Sequence, residues 1–407
     1  MKKFGKYVVW LVMLAFILSA FSACKKEGDT SDVSDTAFDS SAEVSDDGTS
    51  AGSEEPEETS EAAADEDGLD IYPLRGILSK DEKMYYDVFE KEFSGYATSV
   101  TFDTVDYESV EKAYKAFIKD HPEFFWLSGT YEYVWGQKQG KDYTDFAPII
   151  YLTEEEIKEK QEVLESGISR ILDSVPSGLS DYEIALYLHD TIIESTSYDN
   201  EAYEIVMSQT ESGKFMPQST AYGCICEGWA ICSGYSSAYQ LLLQREGITA
   251  GRVASVTHEW NYVVLDGDYY YADVTWDDPV SSDGTSDSLF HTYFMVTGEE
   301  LFAEDEHTPS DDELFVPEAA AAKYNYYVYN GWYIETYDID AAAKVIEGQY
   351  KSGTVEIRFS SESELEAALK DLFENKSIFD IVFSDGERFP SSVSYTKRGA
   401  CLTIHLK

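Results

Sequence analysis

An α+β fold with one helix laid on an antiparallel sheet is predicted for the central third of this chain. Two observations carry the prediction. Capped helical periodicity over Asp181 to Ser195 and again up to Glu246-Gly247 is followed by strand-like runs, Thr249 to Val256, Glu259 to Leu265 and Tyr269 to Val274. Asp266-Gly267 then joins the last two runs as a tight hairpin turn. Helix first and antiparallel strands after it is the α+β order.

The elements before this core read as a mixed α/β region over residues 71–178. Ser79 with Glu82 three residues on is a capping-box signature, and it opens a helix over residues 79–93. Residues 107–119 form a second helix, ended by Asp120-His121-Pro122. Phe124 to Trp126 and Gly129 to Trp135 read as strand or hairpin material, and Ala147 to Leu152 as a short apolar strand. Glu154 to Val175 is an amphipathic helix stopped by Pro176-Ser177-Gly178. Beyond the core, which spans residues 179–310, an Ala-rich connector leads to a small α/β unit over residues 317–407. That unit shows Tyr-rich strands at 324–337, a helix at Ser361 to Glu374, and strands Ile378 to Ser384 and Cys401 to Leu406.

The first seventy residues bear on location. Lys2, Lys3 and Lys6 precede the apolar run Tyr7 to Phe21, which has the length of a signal h-region and is short for a membrane span. It ends in Phe21-Ser22-Ala23-Cys24. This arrangement resembles a bacterial lipoprotein signal, which implies removal of residues 1–23 and diacylation of Cys24. The two acyl chains would then anchor the protein on the extracellular face of the cell membrane. Residues 24–70 are rich in Ser, Asp, Glu and Ala; the stretch 25–70 holds 17 acidic and 2 basic residues. Such a segment buries too little apolar surface to offset its ordering entropy, so it reads as a disordered tether.

The whole chain of 407 residues carries a formal net charge of -48, and residues 71–407 are acidic as well. Like-charge repulsion argues against nucleic acid as a partner. The bland reading of the charge is solubility, and the sharper one is steering of a cationic substrate. Apart from Cys24 there are four cysteines, Cys224, Cys226, Cys232 and Cys401, too few in a body this large for a disulfide framework.

The chemistry concentrates on three stretches. Tyr222 to Tyr235 (YGCICEGWAICSGY) leads into a helix and sets Cys232 at its first turn. A thiol there faces the positive end of the helix dipole, which favours the nucleophilic thiolate. His258 stands at the start of one hairpin strand and Asp273 on the next. The turn at Asp266-Gly267 makes them cross-strand neighbours to within about two positions. An Asp beside an imidazole fixes its tautomer and stabilises its cation. Cys232, His258 and Asp273 are therefore the candidate catalytic residues. Tyr222 is a candidate oxyanion donor, with packing as its plainer role, and Trp260 and Trp276 are candidate groove walls or core.

Cys232-Ser-Gly-Tyr235, His258-Glu-Trp-Asn261 and Asp273-Val-Thr-Trp-Asp277, in this order, resemble the transglutaminase-like superfamily, a papain-like fold. Ser233 and Glu259 depart from the residues common there, and neither belongs to the triad. His189-Asp190, Tyr198-Asp199 and His291 to Phe294 resemble flanking parts of secreted bacterial members. The resemblance covers residues 179–310 and implies acyl transfer through a Cys232 thioester. Its acceptor is an amine or water, so transamidation, deamidation and proteolysis all stay open. It implies protein or peptide substrates at the cell surface or cell wall and no cofactor. No metal site is expected; Cys224 and Cys226 read as packing or redox accessories, and His189 as a structural histidine. The alternative is a non-catalytic surface binding or assembly module that keeps the fold.

Overall fold

The computed structural model describes residues 6–9, 71–208, 213–278, 289–303, 305–384, 386, 389 and 392–406. Cys24 and the acidic tether lie outside them. Among the described residues no helix is long and apolar enough to cross a membrane.

Four sheets lie among the described residues. The first has strand order β1-β3-β4-β2 and is antiparallel throughout. It is built from β1 (Lys6–Val9), β2 (Val100–Phe102), β3 (Tyr131–Lys138) and β4 (Lys141–Pro148). β1 falls inside the expected signal segment and forms an edge, so its removal with the signal would leave three strands paired. β5 (Ser197–Tyr198) and β6 (Trp229–Ala230) make a short parallel pair. The central sheet has order β10-β9-β8-β7, from β7 (Ala250–Ala254), β8 (Glu259–Leu265), β9 (Asp268–Ala272) and β10 (Phe294–Val296). The last sheet has order β11-β12-β14-β13, from β11 (Tyr333–Ile334), β12 (Thr354–Phe359), β13 (Val393–Arg398) and β14 (Cys401–Leu406).

Three of the longer helices open on a complete capping box. Ser79, Thr153 and Ser180 each accept from the N3 backbone amide while the N3 glutamate reaches back. The resulting helices span Lys80–Ser94, Glu154–Leu172 and Asp181–Ser195. Several sequence expectations shift. Phe124 to Trp126 is a buried turn and not a strand, because its three aromatics all point into the core. The strand expected at Ala147 to Leu152 ends at Pro148, and pairing begins earlier, after the turn at Gln139-Gly140. In the last unit Tyr326–Asn330 is helical, Ser377–Asp380 is a 3-10 turn, and helix Ile339–Gln349 and strand β12 add elements the pattern did not reveal.

One hydrophobic core runs through residues 74–327 without a break at 178; it includes Phe89, Tyr114, Phe117, Leu188, Tyr239, Leu242, Val263 and Tyr270. Burial of each such side chain contributes roughly 1.5–3 kcal/mol. Along β8 the faces alternate. Val263 and Leu265 join this core, whereas Trp260 and Tyr262 join a second cluster with Val253, Tyr271 and Val296. A third cluster, around Ile346, Ile357, Leu372 and Ile404, fills the C-terminal unit.

Candidate active site

Helix Cys232–Arg245 is buried on nearly every side, including Cys232 and Gly234 through Gln244. It follows a left-handed Gly228 and the short strand β6, and its entry is fixed by Ile231 N–H donating to the Gln218 carbonyl at 2.9 Å. Cys232 is thus the first helical residue, where backbone N–H groups lack intrahelical acceptors.

The hairpin supplies the other two residues. Asp266 and Gly267 both have positive φ, as a two-residue turn between right-twisted strands requires, and the register runs from Leu265↔Asp268 to Asn261↔Ala272. His258 lies just before β8 and Asp273 just after β9. Asp273 is therefore not a strand residue: it caps the short helix Val274–Asp277, with its Oδ1 accepting from Trp276 N–H at 3.0 Å. Leaving the strand turns the carboxylate inward, and Oδ2 accepts from His258 Nε2 at 2.5 Å. The Cys232 side chain lies close enough to His258 to act, after Asp273, on the imidazole proton.

His307, which the sequence reading missed, completes the arrangement. Fully buried in the 3-10 turn Asp305–His307, it donates from Nε2 to the same Asp273 Oδ2 at 2.7 Å. Its Nδ1 is buried without a hydrogen-bond partner. The ligand atoms of His258, Asp273 and His307 lie within 4.8 Å of one another, a spacing that also suits a metal ion. Here Oδ1 and Oδ2 are already engaged by three donors, which locks the carboxylate.

Burial works against the His258 cation, but the Asp273 charge and hydrogen bond outweigh it and hold the imidazole pKa up to about 10. Burial likewise opposes the Asp273 anion, yet His258 and His307 keep its carboxyl well below the usual range. An ordinary imidazole titrates near 6.5, so between about 6.5 and 10 the folded chain holds a proton that the unfolded chain releases. This contribution to stability is complete below pH ~6.5 and disappears as pH rises through about 10. Melting temperature is expected to fall over that interval, and Asp273→Asn to flatten the slope; thermal scans across the pH series read both.

The remaining motif residues are struts. Asn261, fully buried, donates from Nδ2 to the Ser236 carbonyl at 2.9 Å and the Gly251 carbonyl at 3.2 Å, tying β8 to the Cys232 helix. Tyr235 donates to Asp278 Oδ2 at 2.6 Å. Asp277 accepts Tyr293 N–H on both oxygens at 3.1 Å. Glu259 accepts from Arg252 Nη1 at 2.9 Å and Ser236 Oγ at 3.2 Å. Arg252 also reaches Gln240, Ser237 and the carbonyls of Ile118 and Lys119, bolting the N-terminal region to the helix and sheet.

Tyr222 packs its ring on Phe125 and beneath the Lys160 ammonium, 4.3 Å from the ring centre. Trp260 is 1% exposed, so it stands behind the histidines in the core and not on an open groove. Trp276 is half-buried and edges on His307, with centroids 4.5 Å apart. Tyr198 lies beside the thiol; burial first, and then the neighbouring Cys232, push its hydroxyl above the ordinary range. Burial raises the Cys224 thiol to about 12 and the Cys226 thiol to about 11. Cys224 Sγ contacts Thr196 Oγ1 at 3.4 Å, and no metal-competent group among the described residues includes either cysteine.

No protein-family model and no curated protein matches the chain. Among solved structures it is similar to one described as a TGase, at 15% identity and a TM-score of 0.26, over 40% of this chain and 48% of that one. A proposed cysteine protease from Cytophaga hutchinsonii aligns at 14% identity and a TM-score of 0.21, over 35% of this chain and 55% of that one. A proposed protease from Parabacteroides distasonis aligns at 9% identity and a TM-score of 0.19, over 40% of this chain and 36% of that one. The chain spans about half the length of the first two. Superpositions this loose carry no argument, and the distances around Asp273 stand on their own.

Proposed function

We propose that this chain is a cysteine acyl-transfer enzyme that acts on carboxamide or peptide bonds of proteins or peptides at the cell surface. The observation that carries the reading is Asp273 Oδ2 at 2.5 Å from His258 Nε2, with the helix-start thiol of Cys232 acting on the same imidazole. In the reaction the Cys232 sulfur attacks the carbonyl carbon, and the oxyanion forms near the free N–H groups of the first helical turn. His258, protonated at neutral pH by virtue of Asp273, donates its proton to the departing nitrogen, which leaves as ammonia or amine. The thioester is then resolved by an amine, giving transamidation, or by water, giving deamidation or hydrolysis. Trp229 and Val256, both about half exposed, flank Cys232 and His258 in sequence and offer apolar contacts to a bound peptide. The lipoprotein-like signal at Cys24 and the acidic tether support attachment outside the cell.

Iodoacetamide at pH 6, read peptide by peptide in wild type and Cys232→Ser, tests the nucleophile. Cys232 is expected to label at least roughly tenfold faster than Cys224 or Cys226, whose thiols hold their protons. Equal or slower labelling of Cys232 favours the non-catalytic binding module. Mass spectrometry of surface proteins and cell-wall peptides after incubation with wild type or Cys232→Ala then separates the three outcomes.

A further inference from the structure

A second histidine–carboxylate cluster shares no residue with the Cys232, His258 and Asp273 set and has no part in the proposed reaction. His189 and Asp190 come from helix Asp181–Ser195, and His291 from the segment entering β10. His189 Nδ1 is 2.9 Å and His291 Nε2 3.1 Å from Asp190 Oδ1, and the three ligand atoms lie within 4.8 Å of one another. Zinc–nitrogen and zinc–oxygen bonds of about 2.0–2.2 Å place tetrahedral ligands roughly 3.3 Å apart, so the two histidine–carboxylate separations need to open only slightly. Both histidines are buried, whereas the Asp190 side chain is 32% exposed and leaves an open face for a water ligand.

The surroundings fit a cation. Asp277 Oδ2 stands 3.4 Å from His189 Nε2, too poorly aligned for a hydrogen bond but in the place of the carboxylate that orients a metal-bound imidazole. His291 Nδ1 is buried without a partner, and its ring stacks on Tyr326 at 3.8 Å. A cavity of about 250 Å³ borders His291 and brings Glu356 and His405 to its wall. Asp190, Asp277 and Glu356 thus gather around two imidazoles. Arg358, which feels the Asp277 charge, is committed to Glu300 at 2.8 Å and the Thr292 carbonyl at 2.9 Å.

We propose that His189 Nδ1, His291 Nε2 and an Asp190 carboxylate oxygen bind one divalent ion of the zinc class, with water as fourth ligand. Two imidazoles and a carboxylate suit zinc better than calcium or magnesium. Binding replaces the proton that His189 shares with Asp190, and that proton goes to solvent. The ion would fasten helix Asp181–Ser195 to the strand beside Asp273.

The test uses the full chain, stripped with a chelator and carrying Cys232→Ser so that the thiol cannot take the metal. Calorimetric titration with Zn2+ is expected to show one ion per chain, with heat that depends on the buffer through the released proton. His291→Gln and Asp190→Asn should each weaken binding at least roughly hundredfold, Asp277→Asn about tenfold, and His307→Asn not at all. Co2+ in the same protein should shift the ring signals of His189 and His291, a readout that holds if a substitution fails to fold. The proposal is overturned by the absence of uptake, by uptake that survives His291→Gln and Asp190→Asn, or by uptake lost on replacing His307 or His405.

Discussion

Asp273→Asn is expected to lower turnover about 10⁴-fold while the protein still folds. The amide has nearly the same size as the carboxylate and can still accept one hydrogen bond, so packing around it persists. What it cannot keep is charge. Asp273 Oδ2 now receives both His258 at 2.5 Å and His307 at 2.7 Å, and its anion is the main cause of the raised His258 pKa after burial is opposed. With a neutral partner, burial dominates and the imidazole loses its proton at much lower pH. The direction of the pH effect follows. Wild-type activity needs the imidazolium and should decline only as pH approaches about 10, whereas the variant's alkaline limb moves toward neutrality. The rate of Cys232 alkylation against pH measures this without a known substrate, and kcat on any amide found to react gives the magnitude. A loss of less than about tenfold with an unmoved alkaline limb would remove Asp273 from the mechanism.

Much of this site was legible because its parts are local in sequence. A capping Ser with a Glu three residues on announces a helix start through reciprocal hydrogen bonds, and Ser79 and Ser180 both do so. Asp266-Gly267 sets the hairpin register, and register alone brings residues 258 and 273 to the same end of the sheet. What stayed hidden depends on contacts between distant segments. Asp273 carries no mark that it leaves the strand to cap a turn. His307 arrives on a 3-10 turn 34 residues later, with no periodicity to point its ring at the carboxylate. Arg252 reads as a strand residue in sequence, yet its guanidinium meets the carbonyls of Ile118 and Lys119, in helix Tyr107–Asp120, more than a hundred residues away. The Tyr-rich stretch near 326 became a helix because Asn325 caps it and Gly331 ends it in the left-handed region, overriding β propensity.

Gly234→Ala is expected to cost about 3 kcal/mol and to disable the thiol in whatever fraction folds. Helix propensity alone would favour Ala over Gly by roughly 1 kcal/mol, so the two effects compete. Sterics win here by a wide margin. A Cβ on Gly234 would lie 2.3 Å from the Gln218 carbonyl oxygen, 2.9 Å from Ala230 Cβ and 3.2 Å from the Thr220 carbonyl oxygen. Two of these are backbone atoms, and the Gln218 carbonyl is the acceptor that fixes Ile231 at the helix entry. It cannot retreat without releasing that bond, so the strain passes into the first turn that carries Cys232. A sulfur displaced by about 1 Å loses roughly a hundredfold in rate even where the fold survives. Gly76→Ala is the matched control: it is helical, its Cβ would meet nothing within 4 Å, and it should leave stability unchanged or raise it by up to about 1 kcal/mol. Denaturant unfolding of the two variants, with alkylation of Cys232 in the native baseline, separates loss of fold from loss of geometry. A Gly234→Ala protein as stable and as reactive as wild type would mean that the Gln218 segment yields freely, and that the nucleophile is not held from that side.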